Sequence, residues 1–274
     1  MKKALWMALA TAALAIVMIL TTEKQVKVPM LLYHAFCQEE EGVISEAWVS
    51  ADRLDEQLAA LQDAGYTSVK LADLIAGSKL PEKPIVLTAD DGYLDNLTVA
   101  APIFEKYGFT LSVAVIGVSE GKDTYKETGT AIIPHFSLEQ ARPWVDKGVI
   151  ELFSHTYDMH QGDLDPKGHR ESVKRMEGET PEQYKAALEA DFSKSLAQLG
   201  DLGVPALAYP HGAHTPEAEQ AARAVGIKLT MATQSGMNYL VPGKTPEKLL
   251  LMNRTTVTQK HTGEGLLNTI ANLK

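Results

Sequence analysis

The chain has 274 residues, of which 45% are hydrophobic and 22% charged, and it carries a formal net charge of −9. That composition can bury a large core, as one large domain or two small ones. The acidic balance, without a Lys/Arg cluster, excludes nucleic acid as a partner, and the single cysteine, Cys37, excludes an intrachain disulfide and reads as an incidental thiol.

Met1, Lys2 and Lys3 precede an apolar run from Ala4 to Leu20 that only Thr11 interrupts. A positive start followed by an apolar core is the export signature. The run just reaches the minimum of about 17–25 residues for a spanning helix. Segment 1–22 is therefore expected to be a signal-anchor that keeps Lys2 and Lys3 inside, with a cleaved signal peptide as the alternative. In either case the domain at 23–274 is exported.

Beyond that segment, apolar runs rich in β-formers fall at 26–33, 85–88, 111–116, 149–154, 206–209, 229–232 and 249–257. Their continuous rather than alternating hydrophobicity predicts strands buried on both faces, as in parallel sheets. Helical patterns lie between them. Ser50 opens the first, with Leu54, Leu58 and Leu61 on one stripe and Gly65 as the stop. Ser137 with Gln140, and Thr180 with Gln183, form capping boxes, and Thr215-Pro216 starts a fourth helix that ends before Gly226. Strand–helix alternation throughout predicts one α/β domain, and seven strands suit an incomplete or distorted barrel. The polar segment 161–179 has no period and is expected to be a rim or lid over a site.

In parallel α/β folds ligands bind outside the carboxyl ends of the strands. Those ends carry His34 after Tyr33, the pair Asp90-Asp91, His155 with His160, then Tyr209, Pro210 and His211, and finally Arg254. Two imidazoles and one carboxylate make a three-donor set with an open position. His155 and His160, five apart, share an ion only if the chain leaves the strand and curls back between them. Adjacent carboxylates repel unless a cation holds one of them. The bland alternative makes Asp90 and Asp91 caps for the helix that follows.

The stretches "TADDGY", "SHTYDMH" and "AYPHG" resemble the motifs of the polysaccharide deacetylase family, the NodB-homology or carbohydrate esterase 4 group. The similarity runs from "VPMLLYHAF" to "LLLMNRTTV", and the five-residue His spacing with the Tyr-His opening is similar to the poly-N-acetylglucosamine deacetylase branch. The resemblance implies a distorted (β/α)7 barrel as the catalytic domain. It also implies hydrolysis of N-acetyl groups from an N-acetylglucosamine polysaccharide, either exopolysaccharide or peptidoglycan. Asp91, His155 and His160 would hold a divalent metal, most often zinc in this family, and Asp90 would be the base that deprotonates the attacking water. The "YPHG" loop would supply a backbone N–H to the oxyanion; Pro210 has none, so His211 is the expected donor. Tyr93 and Tyr209 could present their rings to sugars.

The chain departs from the family pattern in three places. Ala89 stands where the first motif usually has Phe, and the Arg-x-Pro and Leu-x-His motifs are missing. Arg254 is the candidate replacement for the arginine partner of the base, and His34 for the acid. Competing readings are a non-catalytic glycan-binding relative, an O-acetyl esterase using the same machinery, and a non-haem iron site.

Overall fold

The structure is a computed structural model that describes residues 25–40, 43–160, 164, 170–241 and 249–274. The expected signal-anchor, 1–22, lies outside the described residues. Among the described residues no helix is long and apolar enough to cross a membrane.

In chain order the elements are β1 (Val26–Val28), β2 (Met30–Tyr33), β3 (Ala35–Cys37), β4 (Trp48–Ser50), α1 (Ala51–Asp63), β5 (Thr67–Ser68), α2 (Leu71–Ala76) and β6 (Pro84–Ala89). A π-helical turn, Asn96–Ala100, runs into α3 (Ala101–Tyr107). Then come β7 (Leu111–Val115), β8 (Thr124–Tyr125), β9 (Thr130–Ala131), α4 (Leu138–Asp146), β10 (Ile150–Ser154), α5 (Pro181–Leu199) and β11 (Gly203–Ala208). The chain ends with α6 (Pro216–Ala224), β12 (Leu229–Met231), β13 (Asn238–Leu240), β14 (Thr255–Thr256) and α7 (Gly263–Ala271).

The main sheet has the order β12-β11-β10-β7-β6-β2-β14, with β5 also paired to β6. Every pair in it is parallel. All residues of β2, β6, β7 and β10 are buried, as the unbroken apolar runs require, because helices cover the outside while side chains fill the inside. The two ends of the sheet approach one another. Residues 249–252 lie along β12, with Met252 N–H donating to Thr230 O at 2.9 Å and Ala232 N–H to Met252 O at 3.1 Å. The same stretch then pairs with β2 through Thr255 and Thr256. The result is a curled parallel sheet, the form a distorted barrel takes.

Two expected strands are shorter than their apolar runs. In 26–33 the break falls at Pro29, which has no N–H to give the ladder. β1 therefore leaves the main sheet and pairs antiparallel with β13. In 249–257 only Thr255–Thr256 is regular, because Leu251 adopts φ 55° and turns the chain. The caps match the sequence reading. Ser50 Oγ accepts from Arg53 N–H, and both capping boxes, Ser137 with Gln140 and Thr180 with Gln183, are complete. Leu54, Leu58 and Leu61 of α1 are fully buried, each contributing about 1.5–3 kcal/mol of transfer free energy.

Candidate metal and catalytic site

β6 ends in the buried Ala89 and delivers Asp90 and Asp91 to the carboxyl edge of the sheet. Neither aspartate caps a helix: Asp91 has φ 76° and Gly92 φ 83°, and helical structure begins only at Asn96. The turn separates the roles of the two carboxylates. Asp91 Oδ1 lies 3.5 Å from His155 Nε2 and 3.3 Å from His160 Nε2. Asp90 faces Arg254.

The five-residue His spacing works because the chain does curl back. Past β10, Thr156 takes φ 70°, and Ser154 Oγ accepts its N–H at 3.0 Å. The Asp191 carboxylate on α5 accepts the N–H groups of Tyr157 and Asp158, each at 2.8 Å. Thr156 Oγ1 accepts from Met159 N–H at 3.2 Å, and Met159 itself is buried. This tight turn returns His160 to the side of His155, with ring centroids 4.8 Å apart.

Asp91, His155 and His160 place one ligand atom each within 4.8 Å of one another. Asp91 Oδ1 is buried without a hydrogen-bond partner, so a cation among these three donors would satisfy it. His155 Nδ1 lies 2.8 Å from Ala208 O, which places the proton on Nδ1 and leaves the Nε2 lone pair free. Burial pushes the His155 imidazole down to about 4, against the pull of Asp90, so it is neutral at pH 7. A nitrogen, nitrogen, carboxylate donor set fits a borderline divalent ion such as zinc.

Arg254 is completely buried and grips Asp90 with two hydrogen bonds, Nη1 to Oδ1 at 2.7 Å and Nη2 to Oδ2 at 2.8 Å. Its Nε donates to Ala232 O at 3.0 Å. Burial alone would raise the Asp90 carboxyl, but the Arg254 guanidinium, with His155 and His34, holds it well below the usual carboxylate range. Asp90 is thus an anion in a buried place. Asp91 is also lowered: burial works against ionisation, and His160, His155 and His34 outweigh it. His34 lies close enough to act on both carboxylates, its Nδ1 is buried without a partner, and its carbonyl accepts from Asn96 Nδ2 at 2.9 Å.

Of the expected substrate contacts, Tyr209 is corrected. Its ring is fully buried in the core around α5 and α6, and its hydroxyl donates to Glu219 Oε1 at 2.7 Å, so it cannot face a sugar. Pro210 is buried as well. Tyr93 lies beside Asp91, where burial, then that carboxylate, raises its phenol. His211 is half exposed, takes φ 55°, and stacks near His160 at 4.7 Å between centroids. In its loop Gly212 N–H donates to Tyr209 O and Ala213 N–H to Pro210 O.

Three further residues near the site carried no signal of period or motif. His135 is buried, pairs its backbone with Tyr93 and sets its ring edge-on to the tyrosine at 5.0 Å. Burial pushes its imidazole down to about 4, which Asp91 partly opposes. Glu171 groups with His160 and His211 in a second cluster of possible ligand atoms. Asp95 follows the aspartate pair, and its Oδ1 accepts from Asn96 Nδ2 at 2.9 Å. Burial pushes its carboxyl up to about 7, with Asp91 adding to the rise and hydrogen bonds from Phe36 and Asn96 opposing it. The unfolded chain ionises near pH 4 while the folded chain keeps this proton, so its stability should fall as pH rises from about 4 through 7. Thermal melts of metal-free protein should show this slope, and Asp95→Asn should flatten it. An equal slope in the variant would assign the pH dependence elsewhere.

The parallel α/β sheet and the Asp-His-His set at its carboxyl edge together define an α/β protein with a candidate metal site. Residues 77–230, more than half of the chain, match the polysaccharide deacetylase family, and the chain belongs to that family. It is 28% identical over 219 residues to the Bacillus subtilis polysaccharide deacetylase homologue YxkH, a match covering 78% of this chain and 67% of that one. It is 32% identical over 123 residues to the Escherichia coli poly-beta-1,6-N-acetyl-D-glucosamine N-deacetylase, covering 42% of this chain but only 18% of that enzyme. Among solved structures, the de-N-acetylase from Aggregatibacter actinomycetemcomitans superposes with a TM-score of 0.73 at 24% identity, over 89% of this chain and 100% of that one. That likeness bears on the fold.

Proposed function

We propose that this chain is a metal-dependent polysaccharide N-deacetylase that works outside the cytoplasmic membrane on an N-acetylglucosamine polymer. It is held there by segment 1–22, or released if that segment is cleaved. The supporting observation is the division of labour between two adjacent carboxylates: Asp91 among two imidazoles, and Asp90 held anionic by Arg254. The relatives that act on such polymers favour the substrate class.

Zinc held by Asp91, His155 and His160 would lower the pKa of the attacking water and polarise the acetamide carbonyl. Asp90 accepts the proton of that water as it attacks the carbonyl carbon. Arg254 keeps Asp90 ionised and fixes the plane of its carboxylate. The N–H of His211 meets the developing oxyanion, since Pro210 has none and the next two N–H groups of the loop are already bonded. His34 then gives a proton to the leaving nitrogen as the C–N bond breaks. The products are acetate and a glucosamine unit, cationic at neutral pH.

The test is acetate release from β-1,6- and β-1,4-linked N-acetylglucosamine oligomers by protein stripped of metal and reloaded with zinc or cobalt. Release that requires metal supports the reaction, and the preferred linkage separates exopolysaccharide from peptidoglycan as substrate. A folded protein binding one metal per chain but releasing no acetate from either polymer would make this a glycan-binding relative. Release confined to O-acetylated sugars would make it an esterase.

A further inference from the structure

The segment expected to be a lid has a fixed second half, and Glu171 is what it presents. Arg170, 6% exposed, donates to Lys174 O and to the Glu179 carboxylate. Glu179 also accepts from Met176 N–H at 2.8 Å and, through its carbonyl, from Arg175 Nε at 2.9 Å. Tyr184 on α5 donates its hydroxyl to Val173 O at 2.6 Å. On the other side of Glu171, Ser172 adopts φ 64°, and its N–H donates to Met159 O at 2.8 Å, tying the loop to the turn that carries His160. Glu171 thus sits between two immobilised residues, and its carboxylate accepts a hydrogen bond from His211 Nε2.

His211 needs such a hold. A left-handed conformation is disfavoured for a non-glycine residue because Cβ crowds the following carbonyl oxygen, and here two successive residues, His211 at φ 55° and Gly212 at φ 67°, adopt it. Gly212 is pressed against Thr233, where a Cβ would lie 2.2 Å from Oγ1 and 2.8 Å from the backbone nitrogen. The loop is therefore pinned behind His211 by close packing and in front by the Glu171 contact. The orientation of the peptide at residue 211 depends on both.

We propose that Glu171 is a positioning residue. It acts through the His211 imidazole to hold the left-handed peptide whose N–H meets the oxyanion. This inference rests on the deacetylase reading for its chemistry, while the brace itself is a feature of the fold.

The experiment compares wild type, Glu171→Ala, Glu171→Gln, His211→Ala and the double alanine variant, all loaded with metal. Glu171→Ala should lower kcat about 10–100-fold, the range seen when the support of a site residue is removed, with KM unchanged and one metal per chain. Glu171→Gln, which still offers an acceptor oxygen, should recover most of the loss. His211→Ala keeps its N–H but loses the handle, so the double variant should be no worse than either single one. Effects that multiply in the double variant would overturn the proposal, as would an unchanged kcat. A second metal in wild type that disappears in Glu171→Ala would do so too, making Glu171 a cation ligand with His160 and His211. Amide exchange at Gly212 and Ala213 reads the brace without any reaction, and Glu171→Ala should speed it about 10-fold or more. If wild type releases no acetate, the deacetylase reading fails by itself; unchanged exchange removes the brace.

Discussion

Asp90→Asn should lower acetate release by about 10²–10⁴-fold, the range a positioned general base contributes, and leave one metal bound per chain. Asparagine keeps the shape of the side chain and an oxygen for Arg254, but it cannot accept the proton of the attacking water. The metal donors are a different set, Asp91, His155 and His160, so metal analysis and turnover should separate. If Asp90→Asn loses metal along with activity, Asp90 would be a ligand and the division of roles would collapse. If turnover persists, another group is the base.

Arg254→Met should be the most damaging single change to the folded state. It removes the cation from a buried bidentate pair and leaves the Asp90 carboxylate, 3% exposed, without compensation. Breaking such a pair from one side costs about 3–5 kcal/mol. The sign of the pH effect follows from the Asp90 carboxyl, which is depressed in the folded wild type. The stability it contributes is present above the ordinary carboxyl range and is lost only as pH falls through its lowered value. Without Arg254 burial dominates and raises that carboxyl, so the variant should lose stability as pH rises above about 4. The acidic limb of its residual activity should also move to higher pH, because the base must be ionised to work. Urea melts across pH read the first effect, and a pH–rate profile the second. Asp90→Asn combined with Arg254→Met should regain part of the lost stability, because no buried charge then remains. A double variant as unstable as Arg254→Met alone would mean the arginine matters through packing.

Much of this site was legible in the sequence because strand ends are legible. The run into Asp90-Asp91 stops where hydrophobicity stops, and in a parallel sheet that stop lies at the face where ligands bind. The residues from different strand ends are therefore gathered along one edge of the sheet, whatever its exact curvature. The helix starts were equally plain, because a capping box is a contact within four residues, as at Ser137 with Gln140. Where local chemistry failed, it failed for local reasons: Pro29 ended a strand early, and a left-handed Leu251 broke another.

Other features have no local cause. Arg254 and Asp90 are 164 positions apart, and nothing in "MNRTT" shows that this arginine turns inward rather than to solvent. His155 and His160 could share a cation only after Asp191, 33 positions beyond Asp158, captured the turn between them. Tyr209 looked available for a sugar from its place beside Pro210, yet the packing of α5 and α6 buried it against Glu219. The amino-acid sequence by itself determined which residues stand at the ends of buried strands, and with them the family and the donor types. Tertiary structure decided which donors face one another, because hydrogen bonds between distant segments depend on how the sheet curls, and no short-range pattern records that.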